Sequence, residues 1–158
     1  MPKKFNVAII HGRTRTRKSI ENYVRELGFI PRILMNEYSA ETIFTRFRDL
    51  IWDDVHCAVV LLTADDLIAN DKRRARQNVV FELGYCFGAF DSIPDDADYK
   101  AENAIIVIEE EGVELFADIT GVTTIKFERG KLSKQKDKIV QALTNSFNSA
   151  KLHYRLKH

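Results

Sequence analysis

A single carboxylate, Glu82, lies inside the most apolar stretch of this 158-residue chain. The surrounding residues, 79–87, have the sequence VVFELGYCF. A helix this apolar is expected to lie against a core, where an unpaired charge is costly. Carboxylates that are perturbed in clefts are candidates for catalysis. The alternative is a structural one, in which Glu82 reaches solvent or pairs with an arginine such as Arg76.

Polar residues that follow predicted strands are candidate partners for Glu82. His11, Gly12 and Arg13 follow the first apolar run, and Asp65 and Asp66 follow the third. Polar groups that converge in a largely apolar cleft are the usual form of a binding site. Each of these residues also has a simpler explanation. His11 could be an ordinary residue at a strand end, Gly12 a turn residue and Arg13 a solvated side chain, and the two aspartates could cap a helix.

A basic segment precedes the apolar helix. Lys72, Arg73, Arg74 and Arg76 stand where a helix is expected to begin. Positive charge at a helix N-terminus opposes the helix dipole. The cluster therefore favours an anionic partner such as a phosphate, and the alternative is a solvated helix start.

The pattern of apolar residues predicts alternating strands and helices. Short β-branched runs indicate five strands, at 5–10, 29–35, 55–63, 104–108 and 122–127. Helical stripes fall at 20–27, 43–51, 76–90 and 139–147. Gly28 is the expected C-cap of the first helix, Ser39 is the expected N-cap of the second, and loops are expected at 63–74 and 91–103.

This alternation predicts an α/β fold with a parallel sheet and right-handed crossovers. Five strands suggest a flavodoxin-like three-layer sandwich with strand order 2-1-3-4-5. Ligands of such sheets bind beyond the carboxyl ends of the strands, where the strand order reverses. We therefore expect the residues after the first and third strands to meet Glu82 at this edge.

Composition restricts the class of protein. The chain is 45% hydrophobic and 30% charged, which is typical of one globular domain, here assigned to residues 1–150 with a basic tail at 151–158. The net charge of +1 argues against a nucleic-acid-binding protein. The sequence has no transmembrane-length apolar run, signal peptide, Walker A motif or zinc-ligand spacing. Cys57 and Cys86 lie in apolar runs and indicate buried thiols in a reducing, cytoplasmic compartment.

The segment RARQNVVFELGY, residues 74–85, closely resembles the signature helix of bacterial TIR-like domains. These domains are effectors of the CBASS and Pycsar antiphage systems and occur in TIR–STING fusions. Three further segments resemble the family in the same order: VAIIHGR at 7–13, VVLLTADD at 59–66 and GVELFADITGV at 112–122. The resemblance spans about residues 5–147 and supports a TIR-like version of the predicted sandwich.

The resemblance implies an NAD+ glycohydrolase in which Glu82 is the essential catalytic residue. NAD+ is then the substrate, and neither a cofactor nor a metal is expected. The residues expected to line the substrate site are His11, Gly12, Arg13, Asp65, Asp66, Arg76, Asn78 and Phe81. Among these, we expect Arg13 or Arg76 near the pyrophosphate, and either aspartate near the ribose hydroxyls.

The resemblance also implies partners. Self-association into an oligomer or filament is expected to switch on activity by ordering the loop at 36–42. A cyclic-nucleotide sensor domain is expected if the chain is part of a longer fusion, and a stand-alone effector is the alternative. No membrane or nucleic-acid polymer is expected as a partner.

Two other functions remain open at this point. A TIR interaction module would keep the fold and the self-association without cleaving NAD+. A nucleoside deoxyribosyltransferase would share the architecture and a catalytic glutamate, but would exchange nucleobases. The sequence also leaves open whether the product is linear or cyclic ADP-ribose.

Overall fold

The structure, a computed structural model, describes residues 4–33, 45, 47–49, 51, 55–91, 101–115, 119 and 121–155. The strands are β1 (Asn6–Ile10), β2 (Ile30–Ile33), β3 (Cys57–Leu62), β4 (Asp66–Leu67), β5 (Arg73–Arg74), β6 (Ile105–Glu110) and β7 (Thr123–Phe127). The helices are α1 (Arg17–Glu26), α2 (Gln77–Asp91), α3 (Ala101–Ala104) and α4 (Lys136–Arg155), with 3₁₀ turns at Ala69–Asp71 and Leu132–Gln135.

Five strands form one parallel sheet in the order β2-β1-β3-β6-β7. Counted along the chain within that sheet, this is the predicted order 2-1-3-4-5. All residues of β1, β3 and β6 are buried, as expected for strands covered on both faces. The prediction of a flavodoxin-like α/β sandwich is therefore confirmed.

Helices cover the two faces of the sheet. The chain moves from β1 to β2 in one direction and from β3 to β6 in the other. Right-handed crossovers therefore place α1 and α2 on opposite faces. α4 packs with α1, and its Phe147 ring lies 5.3 Å from that of Phe5. α2 packs against β1 and β3, which places it next to the reversal of strand order.

The first helix forms as its sequence predicts. Ile20, Tyr23 and Val24 are its buried residues and form the predicted apolar stripe. Gly28 adopts a φ of +75°, a conformation that glycine reaches without a Cβ clash, and so ends the helix. α1 begins at Arg17, one turn earlier than the apolar stripe alone indicated.

The predicted polar loop at 63–74 is wrong in detail. It contains an antiparallel ribbon in which Asp66 pairs with Arg74 and Leu67 with Arg73. Two-residue strands leave no hydrophobic periodicity to detect. The ribbon brings the chain back to the end of β3 just before α2 begins.

Other boundaries also differ from the predictions. The expected loop at 91–103 already contains the start of α3. β6 extends to Glu110, two residues beyond the predicted strand end. α4 continues to Arg155, five residues into the segment assigned to the tail. Among the helices that the structure describes, none is both long and apolar enough to cross a bilayer.

Some predictions fall outside the described residues. These include the N-cap at Ser39, the loop at 36–42 and most of the loop at 91–103. Of the predicted helix at 43–51, the described positions 45, 47–49 and 51 are helical. Phe47 and Ile51 in this segment are buried, and Phe47 packs edge-on against Tyr85 of α2 at 5.5 Å.

Candidate active site

The ends of β1 and β3 meet at Gly12. A Cβ built on Gly12 would lie 1.8 Å from Asp65 Oδ2 and 3.0 Å from Asp65 Cγ. A side chain at this position would have to displace the Asp65 carboxylate, so the close approach of the carboxylate favours glycine. The turn glycine and the strand-end aspartate of the sequence analysis are therefore direct neighbours.

Asp65 joins the two strand ends through hydrogen bonds. Its Oδ2 accepts from the backbone N–H of Arg13 at 3.0 Å, and its Oδ1 accepts from the Thr63 hydroxyl at 3.0 Å. Its own backbone N–H is shared between Thr63 O at 2.8 Å and Arg74 O at 3.2 Å. Both carboxylate oxygens thus serve to hold the loops that follow β1 and β3.

Glu82 lies on α2 beside the buried stripe that includes Val79, Leu83 and Cys86. Its side chain is half-buried. Burial raises the pKa of Glu82 to about 7, and the positive charge of Arg76 acts in the opposite direction. The charge of Arg76 therefore acts on Glu82 but is weaker than the effect of burial, which leaves a carboxyl group that titrates near neutral pH.

Arg76 connects the Gly12 turn to Glu82. It is half-buried, and its Cδ lies 3.4 Å from the position of a Cβ on Gly12. Its backbone carbonyl accepts from Val80 N–H at 3.2 Å, so the residue stands at the first turn of α2. The stem of Arg76 therefore lies beside the Gly12 turn.

Both ring nitrogens of His11 make contacts in the loop after β1. Because the carbonyl of Gly12 can only accept, the 2.8 Å contact requires a proton on His11 Nδ1. His11 Nε2 then accepts from the Arg17 guanidinium at 3.3 Å. The structure therefore uses both ring nitrogens of His11 to order the loop after β1, rather than to supply a free acid.

The other predicted site residues are more exposed. Arg13 and Asn78 are exposed, and Asp66 is half-buried in the β4–β5 ribbon. Phe81 is 57% exposed, whereas Tyr85 is half-buried against Phe47. The two aromatic residues of α2 thus differ: Tyr85 adds apolar surface beside Phe47, whereas Phe81 faces solvent.

The basic segment before α2 divides into two parts. Lys72 pairs with Glu114 at 3.0 Å, so its charge is compensated. Arg73 and Arg74 are exposed on β5, shortly before Arg76 in the chain. The segment therefore keeps cationic side chains near the candidate site, in agreement with an anionic partner.

Sequence reasoning missed a second polar contact at the same edge. Glu110, at the end of β6, is buried and pairs with Arg129 Nε at 2.6 Å. Its Oε2 accepts from the backbone N–H of Ala64 at 3.1 Å. The three successive glutamates at 109–111 were the available signal, since buried acids require cations on a neighbouring strand.

The cysteines are buried, as predicted. Burial raises the pKa of Cys57 to about 12 and also raises the pKa of Cys86, to which the charge of Glu82 adds. Both thiols stay protonated and are poor nucleophiles. Within the described part of the chain, no group of three or more His, Cys, Asp or Glu side chains is placed to hold a metal ion.

Comparison with known proteins places this arrangement in a family. Residues 6–129 match the family described as "CAP12/Pycsar effector protein, TIR domain". The chain is also 29% identical over 129 residues to a protein of Escherichia coli (strain K12) named "Uncharacterized protein YuaY". That match covers 77% of this chain and 39% of the relative, so the chain spans well under half of the relative's length. The family match runs from β1 to the residues just after β7, and the chain accordingly belongs to the TIR domains of CAP12/Pycsar effector proteins.

Proposed function

We propose that this TIR domain is an NAD+ glycohydrolase and that Glu82 is its catalytic residue. The observation that carries the proposal is a half-buried glutamate with a pKa near 7, placed on α2 beside Arg76. It lies on the helix that begins where parallel sheets of this order bind ligands. Perturbed carboxylates at such positions are typical of catalytic sites.

The proposed reaction breaks the N-glycosidic bond between nicotinamide and ribose. The bonding electron pair leaves with nicotinamide, which becomes neutral, and the ribose carbon becomes oxocarbenium-like. Water adds to that carbon and releases a proton, so NAD+ and water give nicotinamide, ADP-ribose and H+. Because the leaving group is a neutral base, no strong general acid is needed, in keeping with a His11 whose ring nitrogens are both engaged.

Glu82 would act through its negative charge. A carboxylate held beside the ribose stabilises the developing cation, most strongly where water is partly excluded. The same partial burial raises its pKa. Arg76 has two proposed functions: it keeps part of the Glu82 population ionised, and its guanidinium binds the pyrophosphate. Arg13, whose backbone is fixed by Asp65, is the second candidate for the phosphate.

We further propose that activity depends on self-association and serves antiphage defence. The family description names an effector protein, and an effector requires a signal that switches it on. The relative extends well beyond the aligned region, which leaves room for a sensor domain such as a cyclic-nucleotide receptor. The protonated thiols of Cys57 and Cys86 suit a reducing cytoplasm that contains NAD+.

The reaction class can be tested by product analysis. The purified chain is incubated with NAD+, and nicotinamide and ADP-ribose are separated by chromatography. We expect equal amounts of the two products. A second sample contains a deoxynucleoside and a free nucleobase; base exchange there without NAD+ loss would identify a deoxyribosyltransferase instead. Loss of neither substrate at any protein concentration would support an interaction module.

The pH dependence of cleavage follows from Glu82. The folded protein raises the pKa of this group to about 7 from its ordinary 4.5, so the carboxyl is mostly protonated at pH 5 and mostly ionised at pH 8. Since the charged form is the active one, kcat/KM should rise with pH through about 7 and then level off. Arg76→Gln should move the midpoint upward, because the guanidinium lowers the Glu82 pKa. A flat profile between pH 5 and pH 8 would exclude this assignment.

The free energy of unfolding should depend on pH in the opposite direction to kcat/KM, because ionisation of Glu82 favours catalysis but destabilises the fold. A carboxyl group with a raised folded pKa binds its proton more tightly when folded, so its ionisation destabilises the fold increasingly from pH 4.5 to about 7. Glu82→Gln removes this penalty and should stabilise the protein at pH 8 by about 1–2 kcal/mol, because solvent screens the charge of this half-buried side chain, with little effect below pH 4.5. The measurement is Tm by calorimetry at both pH values. Equal Tm changes at the two pH values would show that burial does not perturb Glu82.

A further inference from the structure

We propose that the Glu110–Arg129 ion pair is a positioning element of the candidate site, acting through the backbone at Ala64. Neither residue touches the site directly. The inference rests on the proposed function for its catalytic consequence, but its structural content stands on hydrogen bonds between the ends of three strands.

The ion pair holds both sides of Ala64. Glu110 Oε2 accepts from Ala64 N–H at 3.1 Å, and Arg129 Nε donates to Glu110 Oε1 at 2.6 Å. A second guanidinium nitrogen of Arg129 reaches Ala64 O at 3.5 Å. One side chain from the end of β6 and one from the loop after β7 therefore fix the peptide groups on either side of this residue.

The contact continues from Ala64 towards Glu82. The peptide unit between Ala64 and Asp65 has its C=O facing Arg129 and its N–H donating to Arg74 O at 3.2 Å. Arg74 is two residues before Arg76, which lies beside Gly12 and lowers the pKa of Glu82. A shift of this peptide unit would therefore be transmitted along the chain into the first turn of α2.

The same peptide unit also positions the Asp65 carboxylate. This carboxylate contacts Gly12, Arg13 and Thr63. Oδ2 lies where a Gly12 side chain would be and accepts from Arg13 N–H at 3.0 Å. The Asp65 carboxylate begins one bond beyond the peptide unit held by Arg129. The position of the loop after β1 thus depends on Arg129, a cation from the loop that follows the edge strand β7.

The geometry separates positioning from simple ion pairing. Glu110 is 6% exposed, so its charge needs a partner, whereas the Arg129 side chain is 70% exposed and adds little to the core. The neighbouring pair joins Lys126 of β7 to Glu109 of β6 at 3.6 Å. In the described part of the chain, neither of these two side chains bonds to the backbone of the loop after β3. Lys126 is therefore a matched control for the loss of a cation at this edge.

The experiment combines amide hydrogen exchange with steady-state kinetics on the full chain. Arg129→Gln should increase the exchange rates of the Ala64 and Arg13 amides by about tenfold or more, because both are held by the proposed chain of contacts. It should also lower kcat for NAD+ cleavage about tenfold, with a smaller change in KM. Arg129→Lys keeps the charge beside Glu110 and should fall between Arg129→Gln and wild type.

Lys126→Gln should change neither the Arg13 exchange rate nor kcat. Unchanged Arg13 exchange in Arg129→Gln, or equal acceleration in Lys126→Gln, would overturn the positioning proposal. If the wild-type chain fails to cleave NAD+, the proposed function fails on that result alone. The exchange data would still decide whether Arg129 orders the loop after β1.

Discussion

Replacing Glu82 by glutamine is expected to lower NAD+ cleavage by about 10³-fold while the protein remains folded. The substitution keeps the size of the side chain and one acceptor oxygen but removes the charge that stabilises the oxocarbenium-like ribose. Removal of one preorganised electrostatic group typically costs about 10²–10³ in kcat. The measurement is kcat for nicotinamide release at pH 8, where the wild-type carboxyl is mostly ionised.

The matched control is the same substitution at Glu26. Glu26 lies at the end of α1 and pairs with Lys136 of α4 at 2.7 Å, on the helical layer opposite α2. Glu26→Gln therefore removes a paired carboxylate of the same type without approaching the candidate site, and should leave kcat unchanged. If Glu82→Gln retains more than about a tenth of wild-type kcat, Glu82 is not the catalytic carboxylate.

Gly12→Ala is expected to produce the largest loss of stability among single-methyl additions. The new Cβ would lie 1.8 Å from Asp65 Oδ2 and 3.4 Å from Arg76 Cδ, so the carboxylate must leave its place. The Arg13 N–H bond is then lost, and we expect a destabilisation of about 2 kcal/mol. Loss of the Asp65 contact should also loosen the loop after β1 and lower kcat/KM by about tenfold or more. Calorimetry and NAD+ kinetics on the same preparation measure both effects.

Two controls distinguish the clash from a general effect of the extra methyl group. Gly84 is exposed on α2 with nothing within 4 Å of an added Cβ, so Gly84→Ala should stabilise the helix by about 0.5–1 kcal/mol. Combining Gly12→Ala with Asp65→Ala removes the clashing atoms, so the double variant should be no less stable than Asp65→Ala alone. Additive losses in the double variant would show that the close approach of Asp65 is not what requires glycine.

The parts of the fold that local patterns determine were predictable from the sequence. The continuous apolar runs of β1, β3 and β6 indicated strands covered on both faces, and the structure confirms them. The order of the sheet follows from the handedness of crossovers, which does not depend on individual side chains. The convergence of the two strand ends and α2 at one edge followed from the same rule.

The contacts within the site were not predictable in this way. The Asp65–Gly12 approach and the Glu110–Arg129 pair depend on how the strand ends align across the sheet. Strands that are buried on both faces carry a continuous apolar run, and such a run lacks the alternation that would specify strand register. The same reason explains the early predicted end of β6: Glu109 and Glu110 continue that strand because their cations come from β7 and its following loop.

The perturbed state of Glu82 was predictable only in part. An acid inside an apolar helix indicates burial or pairing, and the structure shows burial together with a weaker effect of the Arg76 charge. The relative strength of burial and of the Arg76 charge depends on distances that the sequence does not contain. Burial raises the pKa of Glu82 to about 7, and the charge of Arg76 limits that rise. Such a pKa suits a catalytic group that must ionise at physiological pH.

The most direct test of an association-activated NAD+ hydrolase is the rate of NAD+ consumption at increasing protein concentration. Wild type and Glu82→Gln are measured side by side, and the series extends to crowded solutions. We expect the wild-type rate to rise faster than in proportion to concentration and the variant to remain inactive throughout. That result would establish a hydrolase that uses Glu82 and is activated by association. Equal NAD+ loss in the two proteins, or no loss even in a chain fused to a forced oligomer, would contradict it.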